Sequence, residues 1–159
     1  MTSDLPHTRL SRIIDPILQR IGDATSWLWL VLMATILGNV VLRYAFGEGR
    51  VELEEIQWHL YAVGFLLGLA YAYQADTHIR VDVLHERFAA RTRAWIELYG
   101  IVLFLLPFIA VVLVFSVPFV ITSMELGEVS QAPGGLPLRW LIKAALPCGF
   151  GLLRAATIS

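Results

Sequence analysis

Three stretches of the chain contain no Asp, Glu, Lys or Arg. They cover residues 24–42, 56–75 and 98–124. A helix needs about 20 mostly apolar residues to cross a hydrocarbon core of roughly 30 Å, and the three stretches approach or exceed that length. Charged residues make up only 16% of the chain, whereas a typical soluble domain has about 25%. The sequence therefore predicts a small polytopic membrane protein and excludes a soluble domain, a disordered chain and a secreted disulfide scaffold.

The predicted fold is all-α, with one four-span membrane domain over residues 1–159. The spans are placed at about 24–46, 56–74, 95–124 and 136–158. The fourth span is the least clearly apolar, because Arg139 and Lys143 lie in its first two turns. Their aliphatic stems can place the charges at the level of the lipid headgroups. Pro107 and Pro118 are expected to kink the third span.

Residues 1–23 are predicted to form a tail and an amphipathic segment. Apolar residues between positions 13 and 21 share one helix face and polar residues take the other, a pattern typical of an interfacial helix. Asp15-Pro16 is typical of a helix start with proline at the first helical position. Two interpretations stay open: a separate interfacial helix that bends at Gly22, or an extension of a long, tilted first span. A further interfacial segment is predicted between the second and third spans.

The distribution of basic residues predicts the orientation. With four spans, the termini and the middle loop share one side, which holds Arg9, Arg12, Arg20, Arg80, Arg87, Arg91, Arg93 and Arg154. The other side holds Arg43, Arg50, Arg139 and Lys143. Because cytoplasmic loops carry an excess of Lys and Arg, both termini are predicted to be cytoplasmic.

The span centres contain no ionisable residue, although such residues are the usual mark of ion pathways. This favours an accessory or scaffold subunit over an enzyme or a self-sufficient transporter. Cys148 is the single cysteine, which excludes an intrachain disulfide and a thiol metal cluster. His59 and His78 do not lie at matched depths in two spans, so no haem site, other cofactor or metal site is predicted. Instead, His59 is expected to pair locally with Glu55. A net charge of -1 without a basic run gives no support for nucleic-acid binding.

The loops carry most of the polar side chains. Arg43 either binds a lipid phosphate, pairs with a glutamate of the second span or remains solvated. In the middle loop His78, Arg80 and Asp82 alternate with apolar residues, which indicates an extended turn that fixes the angle between two spans. Residues 125–137 are rich in turn formers, and are interpreted as either a docking surface or a connector.

The order of these residues resembles one family, the small membrane subunit (Q subunit) of tripartite ATP-independent periplasmic (TRAP) transporters. The resemblance covers roughly residues 24–155 and rests on Asn39-x-x-x-Arg43-Tyr44-x-Phe46, Glu54-Glu55, His78-x-Arg80-Val81-Asp82, Glu128-x-Ser130, Lys143 and Pro147. It implies a bacterial inner-membrane protein without a cofactor. It also implies a separate large membrane subunit that carries the substrate and sodium sites, and a periplasmic solute-binding protein that captures an organic acid. The motif residues are then expected to serve helix placement and subunit or lipid contacts.

Two other classes of membrane protein are alternatives. A membrane anchor of a respiratory dehydrogenase would require histidines at bundle depth for haem, or a quinone site. A small multidrug antiporter would require a carboxylate within the first span, and residues 24–42 contain none.

Overall fold

A computed structural model of the chain describes residues 11–75 and 88–158, with Ala90 described by its backbone alone. The regular structure of this part is helical, which confirms the predicted fold class for the described residues. The helices are α1 (Ser11–Phe46), α2 (Val51–Gln74), α3 (Ala90–Gly100), α4 (Leu106–Glu125) and α5 (Arg139–Ile158). A π-helical turn, Ile101–Leu105, joins α3 to α4.

The helices pack in the order α1, α2, α5, α4, and α1 and α5 touch only slightly. α2 therefore lies between two helices, while α4 has a packed side and a bare side. The most buried apolar side chains come from all four of these helices and form one cluster, Leu18, Ala70, Ile109, Leu153 and Ala156. This cluster lies far from the connections 47–50 and 126–138. We call the end of the bundle that carries these two connections the loop end.

Close packing of α2 on α5 depends on Gly149. A Cβ atom at this position would lie 2.8 Å from the backbone oxygen of Leu66 and 2.9 Å from its Cβ. Because the neighbour is partly backbone, it cannot rotate away to make room. Gly149 therefore allows an approach of the two helices that any other residue would prevent.

Three described helical segments are long and apolar enough to cross a membrane, judged by length and composition: Ser11–Phe46, Arg91–Glu125 and Arg139–Ile158. The last of these corresponds to the predicted span at 136–158, in whose first two turns Arg139 and Lys143 lie. α2 has a spanning length of 24 residues, but its two glutamines, His59 and several tyrosines lower its hydropathy. The span predicted at 56–74 therefore stays a prediction.

α1 continues through Gly22 without interruption, which agrees with the interpretation of one extended helix. Gly22 is buried, and the ring of Tyr71 occupies the place where its side chain would be. The predicted helix start at Asp15-Pro16 differs from the structure, where Pro16 lies inside the helix. Packing of Leu18 in the core cluster and a hydrogen bond from Gln74 Nε2 to the Asp15 carbonyl (3.2 Å) support this first part of α1.

The irregularity in the third span lies just before Pro107. The Leu106 N–H donates to the carbonyl of Ile101, five residues back, and Pro107 follows in the first turn of α4. Proline has no N–H for the carbonyl four residues earlier, and a π turn is one way for a helix to adjust to that loss. Pro118 lies inside α4, which continues to Glu125.

Residues 76–87 of the predicted interfacial segment between the second and third spans, among them His78, Arg80 and Asp82, lie outside the described residues. Their expected role as an extended turn stays a prediction.

Candidate functional site

Glu55 connects the start of α2 to the connection between α4 and α5. One of its carboxylate oxygens accepts a hydrogen bond from the Ser130 hydroxyl, and the other accepts from the backbone N–H of Leu136 at 2.6 Å. Glu55 precedes the charge-free stretch of α2. These two hydrogen bonds, the one from Ser130 first, lower the pKa of the Glu55 carboxyl from its ordinary value. The ionised carboxylate thus holds two positions of the connection at once.

The connection 126–138 has a defined backbone. Ser130 N–H donates to the Leu136 carbonyl at 3.1 Å, and the Ser130 hydroxyl accepts from the Ala132 N–H at 3.2 Å. Leu138 is the one non-glycine residue of the described chain with positive φ, at 62°. At Gly135 a Cβ would collide with the Ser130 side chain and lie 2.8 Å from the Glu55 carboxylate. A glycine here is therefore required for the carboxylate to reach both donors.

Glu128 plays a similar part between α4 and α5. One carboxylate oxygen accepts from the Ser123 hydroxyl at 2.5 Å and from the Lys143 ammonium. The hydrogen bonds from Lys143 and then Ser123 lower the pKa of the Glu128 carboxyl. The ammonium of Lys143 also lies 4.0 Å from the centroid of the Phe119 ring, a cation–π contact. Lys143, with only 16% of its side chain exposed, is thus surrounded by α4 and the connection.

Arg43 pairs with Glu54 and joins the end of α1 to the start of α2. The pairing with a glutamate of the second span is one of the alternatives left open for Arg43, and the structure shows it. Both side chains remain about half exposed, and ion pairs of this kind contribute little to stability.

Asn39 and Tyr44 border a groove between α1 and α2, directly beside the Arg43–Glu54 pair. The groove has a volume of about 520 Å³. Asn39 is buried, with 7% exposed, and its Oδ1 has no hydrogen-bond partner. Tyr44 is 83% exposed.

Arg43, Glu54, Glu55, Glu128 and Lys143 thus link helices at the loop end, and Gln74 links α2 to α1 near the opposite end. Within 11–75 and 88–158, no group of three or more His, Cys, Asp and Glu side chains is arranged to hold a metal ion. The contacts of this arrangement fix the positions of helices relative to one another.

The comparison with known families decides the classification. The profile of a family described as Tripartite ATP-independent periplasmic transporters, DctQ component, matches residues 32–159. The chain belongs to the DctQ family. Searches among curated proteins and among solved structures returned no significant match.

Membership in the DctQ family confirms the resemblance indicated by the sequence motifs. The protein is the small membrane subunit of a TRAP transporter and a multi-pass membrane protein. DctQ proteins are transporter components and not enzymes. The match gives no support to the dehydrogenase anchor considered as an alternative.

The matched region contains every motif residue predicted from the DctQ resemblance. The structure brings six of them together at the loop end as contacting pairs or groups: Arg43, Glu54, Glu55, Glu128, Ser130 and Lys143. Their contacts are between helices of the same chain. Their expected role in subunit or lipid contacts stays a prediction.

The sequence did not predict several residues that contribute to these contacts at the loop end. Ser123 and Phe119 complete the surroundings of Lys143, and Gly135 makes room for the Glu55 carboxylate. Ser123 lies five residues before Glu128, and that spacing across a helix end was the one local signal available. His59 was expected to pair with Glu55, and its Nδ1 lies 2.5 Å from the Glu55 backbone carbonyl.

Proposed function

We propose that this DctQ subunit is a non-catalytic scaffold in a sodium-coupled importer of organic acids. This proposal rests on the positions of the charged groups in the chain. The charge-free centres of the helices offer no ion relay, while Glu55 and Glu128 use their charges to hold helices together at one end. A chain built this way suits a fixed role beside a moving subunit.

In this proposal the transport chemistry belongs to other chains. A separate large membrane subunit carries the substrate and sodium sites, and a periplasmic solute-binding protein delivers the organic acid. The family description names a tripartite periplasmic transporter, which supports partner subunits and a bacterial inner membrane. No cofactor is needed for the scaffold role.

The proposed membrane arrangement has four spans in a single domain over residues 1–159, with α2 as the second span and both termini in the cytoplasm. A 24-residue helix extends about 36 Å, which is enough for a hydrocarbon core of roughly 30 Å. Because α2 packs between α1 and α5, its polar side chains Gln57, His59 and Gln74 are partly buried against protein. The segments at 11–23 and between α2 and α3 are proposed to lie at the cytoplasmic interface.

The scaffold role is tested by measuring both assembly of the transporter complex and uptake of the organic acid. The full chain is co-expressed with an affinity-tagged large multi-span protein encoded alongside it, and co-purification is measured. We expect a stable complex, and sodium-dependent uptake of a labelled organic acid that is lost when this chain is deleted. A stable lone monomer whose deletion leaves uptake intact would disprove the scaffold role.

A single substitution separates assembly from substrate recognition. Asp82→Ala is expected to lower the yield of the complex without changing the apparent affinity for the organic acid. Asp23→Ala is the matched control, because Asp23 is exposed on α1. An unchanged complex yield with altered substrate affinity would contradict the proposal.

A further inference from the structure

The groove between α1 and α2 contains two amide side chains with unpaired buried atoms. Oδ1 of Asn39 and Nε2 of Gln57 are both buried and have no hydrogen-bond partner. Leaving a buried donor or acceptor unpaired is costly, and native structures rarely do so without a reason. Both residues line the groove. Rotation about the last side-chain bond, which is a soft torsion, lets each amide present its oxygen or its NH₂ group to a molecule in the groove.

The groove is polar at one end and apolar at the other. The ion pair Arg43–Glu54 stands at its outer end, and Asn39 and Gln57 lie about one helical turn further in. Beyond them the lining is aliphatic, with Ile36 and then Leu32 on α1. From Arg43 to Leu32 the helix rises about 16 Å. An amphiphile lying along α1 would thus meet charges, then amides, then hydrocarbon.

Aromatic side chains beside the groove place its outer end at the membrane surface. Trp58 and Tyr44 line it and are 73% and 83% exposed. Exposed Trp and Tyr are typical of the interface between headgroups and hydrocarbon. Gln57, next to Trp58, then lies at the depth of lipid ester groups.

The ion pair at the outer end retains free hydrogen-bonding groups. The contact to Glu54 is made by Nη2 of Arg43 and by Oε1 of Glu54. Since a guanidinium has five N–H donors and a carboxylate has two oxygens, Arg43 can also bind a phosphate and Glu54 can accept from an ammonium. Two opposite charges side by side match a zwitterion.

We propose that this groove binds one zwitterionic phospholipid with a primary ammonium, of the phosphatidylethanolamine type. Its phosphate binds Arg43, its ammonium donates to Glu54, its ester carbonyls accept from the amides of Gln57 and Asn39, and one acyl chain lies against Ile36 and Leu32. Phosphatidylcholine has no N–H to donate, and phosphatidylglycerol has no positive charge for Glu54. The site goes beyond the scaffold role and does not depend on it.

The experiment compares lipids of identical acyl chains on the full chain in detergent by native mass spectrometry. We expect one phosphatidylethanolamine to bind about tenfold more tightly than phosphatidylcholine or phosphatidylglycerol, the factor for one hydrogen bond to a charged group. Equal binding of the three lipids by the wild-type chain would overturn the proposal, whatever the variants do.

Variants then test the groove itself. Asn39→Leu with Gln57→Leu is expected to weaken all three lipids, and Arg43→Gln with Glu54→Gln to remove the preference among them. Gln19→Leu is the control, because Gln19 is an exposed amide of α1 outside the groove.

Three outcomes would overturn the proposed lipid site. The first is that Gln19→Leu weakens lipid binding as much as the groove variants do. The site is also overturned if the variant with Asn39→Leu and Gln57→Leu loses thermal stability without a change in lipid binding, since the two amides would then bond each other. If the variants abolish co-purification with the large subunit while lipids do not discriminate, the groove is a protein interface and the lipid proposal is overturned.

Discussion

Glu55 accepts a hydrogen bond from Ser130, which lies 75 residues further along the chain. This contact joins the N-terminal part of α2 to the connection between α4 and α5, and the Leu136 N–H reinforces it from the same connection. Together with the Glu128–Lys143 pair, it fixes the loop end of three helices. The geometry of the bundle at this end is therefore set by two carboxylates and not by apolar burial, which is concentrated near the opposite end.

Glu55→Gln is expected to loosen the connection 126–138. An amide can accept with its oxygen from only one of the two donors, Ser130 or Leu136, and its NH₂ group faces the other donor. We expect the melting temperature of the full chain in detergent to fall by a few degrees and protease cleavage in the connection to accelerate. Glu52→Gln is the matched control, because Glu52 is an exposed glutamate of the same helical turn. Equal effects of the two substitutions would show that the Glu55 contacts contribute nothing specific.

The stability of the loop end should depend on pH only in the acid range. The folded-state pKa values of Glu55 and Glu128 are both lowered from 4.5. Their contribution is therefore fully present above about pH 4.5 and is lost as the pH falls through the lower folded values. We expect protonation of Glu55 and Glu128 to lower the melting temperature as the pH falls below 4.5. Between pH 7 and 5.5 these two groups should leave the melting temperature unchanged.

The variant Glu128→Gln tests how much of the pH dependence of the melting temperature comes from the Glu128 carboxyl group. It should remove part of the acid-range slope, because its side chain no longer titrates, whereas Glu125→Gln, an exposed neighbour at the end of α4, should retain it. A slope that is identical in both variants would mean that other carboxyl groups control the acid response.

Gly149→Ala is expected to separate α2 from α5. The added Cβ would meet the backbone of Leu66 at 2.8 Å, and such overpacking costs about 1–3 kcal/mol. Gly151→Ala, two residues along the same helix, meets nothing within 4 Å and should be neutral or stabilising by up to about 1 kcal/mol. Thermal unfolding of the two variants in the same detergent measures the difference. If Gly151→Ala is as destabilising as Gly149→Ala, the loss of stability in Gly149→Ala does not come from its contact with α2.

The charge-free stretches predicted the helices well, because a membrane span has to be long and apolar. They could not predict the contacts of the loop end. Glu55 and Ser130 are recognisable as polar residues near span ends, yet nothing local relates two residues so far apart. The π turn before Pro107 was also hidden, since the missing N–H predicts an irregularity but not its form. The start of α1 was misplaced because Asp15-Pro16 imitates a helix start, whereas packing of Leu18 and Gln74 on α1 carries the helix through the proline.

Whether α2 is a membrane span can be tested by asking on which side of the membrane the two loop-end connections lie. If α2 crosses the membrane, the connections 47–50 and 126–138 face the same side, whereas a chain with three spans places them on opposite sides. In a Cys148→Ser background, Glu48→Cys and Gln131→Cys provide one exposed thiol in each connection, and Arg12→Cys provides one near the start of α1. A membrane-impermeant maleimide should label the first two in intact spheroplasts, because the positive-inside distribution places them outside. It should label Arg12→Cys only after lysis. Labelling of Glu48→Cys without Gln131→Cys would show that α2 does not cross, and the contact between Glu55 and Ser130 could then not form in the membrane.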